Sequence, residues 1–107
     1  MLQNSSETLD RVFEVILSRK KADPISSYTA KLFDAGMPEI SKKLGEEAIE
    51  TIIAGLNNPG SIASESADLI YHLLVLWAAA GLKPSDVWSE LEKREGLSGI
   101  MEKALRK

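Results

Sequence analysis

Five carboxylates stand close together in this 107-residue chain. Glu46, Glu47 and Glu50 follow one another as E-E-x-x-E, and Glu65 and Asp68 as E-x-x-D. On a helix, spacings of three and four place side chains one turn apart on one face. Antiparallel helices joined by the short Asn57-Asn58-Pro59-Gly60 turn would bring the two acidic faces together. Like charges at that range destabilise one another unless protons or cations neutralise them. All-oxygen donors suit a hard cation, Mg²⁺ or alternatively Mn²⁺. The bare pattern is a weak signal. Acidic residues are 16 of the 107, and with a flexible gap such a pattern recurs by chance roughly 0.5 times in a chain of this composition. The competing reading is a solvated charged face with i,i+4 pairs such as Lys43–Glu47.

Groups able to hold phosphate lie near the acids. Arg19, Lys20 and Lys21 close the first helical stretch. Ser26, Ser27, Tyr28 and Thr29 mark a loop and a helix start, with Lys31 about one turn on. Lys42 and Lys43 sit one turn before the acids. Free N–H groups at a helix start, together with hydroxyls, favour phosphate. Basic groups around a carboxylate-bound cation suit a polyphosphate. Taken singly, each basic residue also reads as solvated surface. His72 falls one turn past Asp68, either as a partner to that acid or the substrate, or as a hydrogen-bonded histidine at the edge of a core. A ferritin-type di-iron site needs Glu-x-x-His, and Leu69 stands where that glutamate would be. Trp77 and Trp88 read as packing residues.

The elements that must position these groups are helical. Leu9, Val12, Phe13, Ile16 and Leu17 recur every three or four residues, with Ser5 or Ser6 as cap and Asp23-Pro24 past the end. Ser27 caps a short helix over Tyr28 to Ala35, which Gly36 closes. Pro38 opens a third helix running to about Leu56. Ser61 or Ser64 opens a fourth, ending at Gly81. Pro84 opens a fifth, with Val87, Trp88 and Leu91 on one face and Gly96 at its end. Residues 98–107 read as a sixth, short helix. No window alternates as a strand does. The expected fold is all-α, a bundle of about five helices in a single domain over 1–107, with residues 97–107 as its tail. Ile40, Leu44, Ala48, Ile49, Ile52, Ile53 and Leu56 cover most of the third helix, and the fourth is apolar nearly all round. So small a domain cannot bury both, which predicts a homodimer that completes the core.

Composition narrows the classes further. Cysteine is absent, which excludes disulfide scaffolds, thiolate zinc sites and cysteine nucleophiles. The single histidine excludes sites built from several imidazoles. A net charge of −3 supplies no basic field for nucleic acid. The start, MLQNSSETLD, has neither the basic nor the apolar region of a signal peptide. The longest apolar run, Leu69 to Leu82, has 14 residues interrupted by His72, where a span needs roughly 20. A cytoplasmic protein with no membrane partner is the expectation.

Two long blocks carry a more specific signal: RKKADPISSYTAKLFDAGMPEISKKLGEEAIE and ESADLIYHLLVLWAAAGLKPSDVWSELEKR. Over roughly residues 9 to 95 the chain resembles the phosphoribosyl-ATP pyrophosphohydrolase family of histidine biosynthesis. That family belongs to the all-α nucleotide pyrophosphohydrolases, usually dimeric, with Mg²⁺-binding ExxE and ExxD motifs. The resemblance implies Glu47, Glu50, Glu65 and Asp68 as metal ligands and Glu46 as a catalytic base or extra ligand. It implies phosphoribosyl-ATP as the small-molecule substrate, held by Arg19, Lys42 and Lys43, with Ser27, Tyr28 and Thr29 as further contacts. The products would be phosphoribosyl-AMP and pyrophosphate. No room remains for the cyclohydrolase fused to some relatives, so a stand-alone form is expected. Two rivals stand beside this reading: a housekeeping pyrophosphohydrolase of other nucleoside triphosphates, and a non-catalytic helical dimerisation module.

Overall fold

A computed structural model describes residues 5–96, and the helix expected over 98–107 lies outside them. Five α-helices follow in order: α1 (Glu7–Ser18), α2 (Tyr28–Ala35), α3 (Met37–Asn57), α4 (Ile62–Ala80) and α5 (Pro84–Glu92). Single 3₁₀ turns at Arg19–Lys21 and Pro59–Ser61 follow α1 and precede α4. No strand occurs among the described residues.

The local chemistry accounts for most boundaries. Ser27 is extended, and its Oγ accepts the Ala30 N–H at 3.1 Å, which caps α2. Gly36, at φ +94°, ends α2 and admits Pro38 into the first turn of α3. That conformation strains any residue with a Cβ. Gly81, at φ +79°, closes α4, and the Leu82 N–H reaches back to the Trp77 carbonyl at 2.9 Å, a Schellman closure. At the start of α1 the Ser5 hydroxyl, not Ser6, takes the first free N–H, from Glu7 at 3.3 Å. The fifth helix stops at Glu92, four residues short of the expected Gly96. There Arg94 and Glu95 bond back only three residues, a tightening into 3₁₀ geometry that ends an α-helix early.

The core joins Phe13 and Ile16 of α1, Leu32 of α2 and Ile40 of α3 to Leu74, Val75, Trp77 and Ala78 of α4. Trp77 stacks edge-on against Trp88 of α5 with centroids 6.0 Å apart, so both tryptophans serve packing as expected. The most extensive contact is between α3 and α4, antiparallel across their short connection. Only Ile40 and Ala54 of α3 are buried. Ile49, Ile52, Ile53 and Leu56 remain 58%, 61%, 46% and 76% exposed.

By length and composition, Pro59–Ala80 is apolar enough to cross a membrane, which the shorter run counted from Leu69 does not reveal; of its 18-residue apolar window 28% is buried. This stretch also carries Glu65, Asp68 and His72 and packs against α1, α2 and α3. A central helix of a bundle has the same composition.

Candidate active site

The antiparallel pairing of α3 and α4 decides which carboxylates meet. Ligand oxygens of Glu47, Glu65 and Asp68 lie within 4.8 Å of one another. Between the helices, the Thr51 hydroxyl lies 2.9 Å from the Glu47 carbonyl and 3.2 Å from the Glu65 carbonyl. It can donate to either, and so ties the two helices where they carry their acids.

Glu65 is half-buried. That burial, followed by the charges of Glu50, Asp68 and Glu47, raises its carboxyl above the ordinary glutamate value. Three hard oxygen donors with too much negative charge fit a divalent cation of the Mg²⁺ class. Glu50 stands outside the closest set but supplies the largest charge effect on Glu65. Glu46 points elsewhere: its carboxylate meets the Lys43 ammonium at 3.5 Å. Its charge and hydrogen bond raise the Lys43 pKa. The lysine therefore pairs three residues along the helix, not four as Lys43–Glu47 would require.

Asp68 also lines an open cleft of about 580 Å³, with Arg19, Ser26, Ser27, Tyr28, Thr29, Tyr71 and His72 around it. A second cleft of about 660 Å³ lies on the other side of Tyr28, lined by Lys31, Glu39, Lys42 and Lys43. Arg19, Ser27 and Thr29 thus fall in one cleft and Lys42 and Lys43 in another, the two sharing Tyr28, while Lys20 and Lys21 line neither.

The floor of the first cleft is a hydrogen-bonded cluster. The Tyr28 hydroxyl meets His72 Nε2 at 2.8 Å, and His72 Nδ1 meets the Asp68 carbonyl at 2.8 Å. Thr29, buried, bonds the Tyr71 hydroxyl. Burial raises the Tyr28 phenol pKa against the opposing Lys43 charge, with Glu47, Glu39 and Glu46 adding to the rise.

Thr51 and Tyr71 escaped the sequence reading. Their partners lie 14 and 42 positions away. A threonine inside an acidic helix has no signature until the second helix is placed, and Tyr71 adjoins a histidine that drew the attention.

A pair of helices with converging carboxylates, beside clefts edged by lysine, arginine and hydroxyl groups, is the layout of an all-α nucleotide pyrophosphohydrolase. The profile of the family described as Phosphoribosyl-ATP pyrophosphohydrolase matches residues 9–95, and the chain belongs to that family. It is 55% identical over 104 residues to the phosphoribosyl-ATP pyrophosphatase of Azospirillum brasilense, covering 96% of this chain and 94% of that one. The phosphoribosyl-ATP pyrophosphatase of Parvibaculum lavamentivorans is 60% identical over 99 residues, with 92% and 91% covered. That of Paramagnetospirillum magneticum is 50% identical over 106 residues, with 98% and 97% covered.

Proposed function

We propose that this chain hydrolyses phosphoribosyl-ATP to phosphoribosyl-AMP and pyrophosphate, a step of L-histidine biosynthesis, at the acidic cluster of α3 and α4. The observation that carries this reading is the convergence of Glu47, Glu65 and Asp68 from two helices, at the edge of a cleft, in a member of this family. Those three carboxylates, with Glu50 beside them, would hold Mg²⁺, which when bound offsets charge on the leaving pyrophosphate and makes water more acidic.

The chain's own groups do the rest. Water attacks the α-phosphorus, the bond to the α–β bridging oxygen breaks, and pyrophosphate leaves with that oxygen. Glu46, the base or extra ligand that the resemblance implies, is turned towards Lys43 in this structure, so it would take the proton only after leaving that ion pair. Arg19, Lys42 and Lys43 donate to phosphate oxygens. Ser27 does the same with the proton that its cap bond leaves free. Thr29 supports the cleft from below, because its buried hydroxyl is bonded to Tyr71.

A second copy of the chain would cover the exposed face of α3. Ile49, Ile52, Ile53 and Leu56 follow the i, i+3, i+4, i+7 spacing of one helical stripe. Each such side chain fully withdrawn from water contributes about 1.5–3 kcal/mol. Scattering after size exclusion is expected to give about 23 kDa, twice the 11.7 kDa of one chain, as for a two-fold dimer. A net charge of −3 supplies no basic field for nucleic acid, and a cytoplasmic location is proposed with the step of histidine biosynthesis.

The deciding assay compares pyrophosphate release from phosphoribosyl-ATP, ATP, dATP and dUTP in the same Mg²⁺ buffer. Preference for phosphoribosyl-ATP is expected. Equal or faster release from the common triphosphates would replace this reading with a housekeeping pyrophosphohydrolase.

A further inference from the structure

We infer that the Tyr28 phenol oxygen reads a sugar hydroxyl of the substrate by accepting its hydrogen bond, and that His72 is the positioning residue that commits Tyr28 to that role. The inference rests on the reading that the first cleft takes phosphoribosyl-ATP.

His72 Nδ1 lies 2.8 Å from the Asp68 carbonyl, and a carbonyl oxygen only accepts. The imidazole proton is therefore on Nδ1. With the proton on Nδ1, Nε2 offers its lone pair, and the Tyr28 hydroxyl, 2.8 Å away, donates to it. His72 is only 7% exposed, and its ring packs edge-on between those of Tyr28 and Tyr71, with centroids 5.8 and 5.9 Å apart. Its orientation is thus fixed on both sides.

Tyr28 itself is 51% exposed and lines both clefts. With its proton engaged, its oxygen offers a ligand only lone pairs. A phosphate oxygen brings lone pairs as well and gains nothing there, whereas a sugar hydroxyl can donate.

Ser27, the adjacent residue, has the opposite polarity. Its Oγ already accepts the Ala30 N–H at 3.1 Å, so its own proton is available to an acceptor such as phosphate. The Ser27-Tyr28 pair thus presents a donor and an acceptor side by side, suited to a phosphorylated sugar. Phosphoribosyl-ATP has sugar hydroxyls on its nucleoside ribose and on its phosphoribosyl group, while pyrophosphate has none.

The test measures equilibrium binding and steady-state kinetics on the full chain. Probes are phosphoribosyl-AMP, AMP, ribose 5-phosphate, and two controls without the relevant hydroxyls, pyrophosphate and 2′,3′-dideoxy-AMP. Tyr28→Phe is expected to weaken phosphoribosyl-AMP by about three- to tenfold, the scale of one neutral hydrogen bond. Both controls should bind as they do to wild type. A parallel loss with AMP assigns the hydroxyl to the nucleoside ribose; a parallel loss with ribose 5-phosphate assigns it to the phosphoribosyl group.

For turnover of phosphoribosyl-ATP, the loss should fall on KM rather than kcat. His72→Leu should show only part of that loss, because the phenol oxygen keeps its lone pairs, and should tighten pyrophosphate, because the phenol proton is now free to donate. His72→Gln should return both to wild type through an amide oxygen that accepts the phenol proton, and His72→Leu added to Tyr28→Phe should cost nothing more. Equal weakening of pyrophosphate would make Tyr28 a phosphate contact and overturn the inference. So would undiminished phosphoribosyl-AMP binding in Tyr28→Phe, or additive losses in the double variant. Tyr28→Phe keeps the ring and decides the matter even if His72→Leu fails to fold. A wild type that binds phosphoribosyl-AMP but does not turn over phosphoribosyl-ATP would fail the functional reading and leave this contact standing.

Discussion

Asp68 belongs to two regions that follow opposite rules. Towards α3 its carboxylate joins Glu47 and Glu65, three like charges in close range, with the Glu65 carboxyl raised by burial and by its acidic neighbours. Towards α2 its carbonyl anchors His72, and through it Tyr28. In that second region the buried polar groups are paired within the chain. Among the described residues no buried side-chain nitrogen or oxygen lacks one. The hydrogen-bonded region stabilises the fold as it stands, whereas the like charges of the acidic region oppose it unless a cation neutralises them. Like charges held together without partners do nothing for folding, which makes the acidic cluster the region to test for function.

The largest effect that would test this contrast is on rate. Glu47→Gln or Asp68→Asn should reduce pyrophosphate release on the order of 10²–10³-fold, as losing one charge-stabilising group does in other active sites. The metal-free melting temperature should stay level or rise. A variant that keeps its rate would make the acids a solvated surface and remove the contrast.

Mg²⁺ should shift the balance next. At ten times Kd it adds about 1.4 kcal/mol to the folded state, or roughly 4–8 °C in melting temperature for a domain of this size. Glu50→Gln, which deletes the neighbour acting most strongly on Glu65, should show a much smaller shift. An unaltered shift would take Glu50 out of the site.

The hydrogen-bonded region should respond in the opposite sense. Thr29→Val leaves the Tyr71 hydroxyl without its partner and should lower stability by about 0.5–1.5 kcal/mol, read by urea unfolding, with KM for phosphoribosyl-ATP retained. A raised KM at full stability would instead put Thr29 against the substrate.

The smallest effect is a pH slope. Glu65 holds its proton more tightly in the folded than in the unfolded chain. Stability of the metal-free protein should therefore fall as pH rises from the ordinary glutamate value through the raised one, and level off above it. Glu65→Gln should flatten that slope in melting curves taken across the acidic range. An identical slope in the variant would mean that other groups produce it.

Much of the architecture was written locally. Ser27, Gly36, Pro38, Gly81 and Pro84 each act within a few residues, through a cap bond or an allowed dihedral, and α2 lies where they put it. The end of α5 was less legible, because Gly96 marks the end of the tightened turn and not of the helix. The acids were legible as a set, since a period of 3.6 residues already groups them by face.

What the sequence by itself determined, then, is the set of helices and the face on which each carries its charge. Tertiary structure decided which members of that set meet. It selected Glu47, Glu65 and Asp68 as the closest group, set Thr51 between the helices, and joined Tyr28 to His72 across 44 positions. The physical reason is that helical periodicity fixes angles within one helix. The rotation and height of one helix against another come from packing residues such as Ile40, Leu74 and Val75, whose side chains carry none of the chemistry they position.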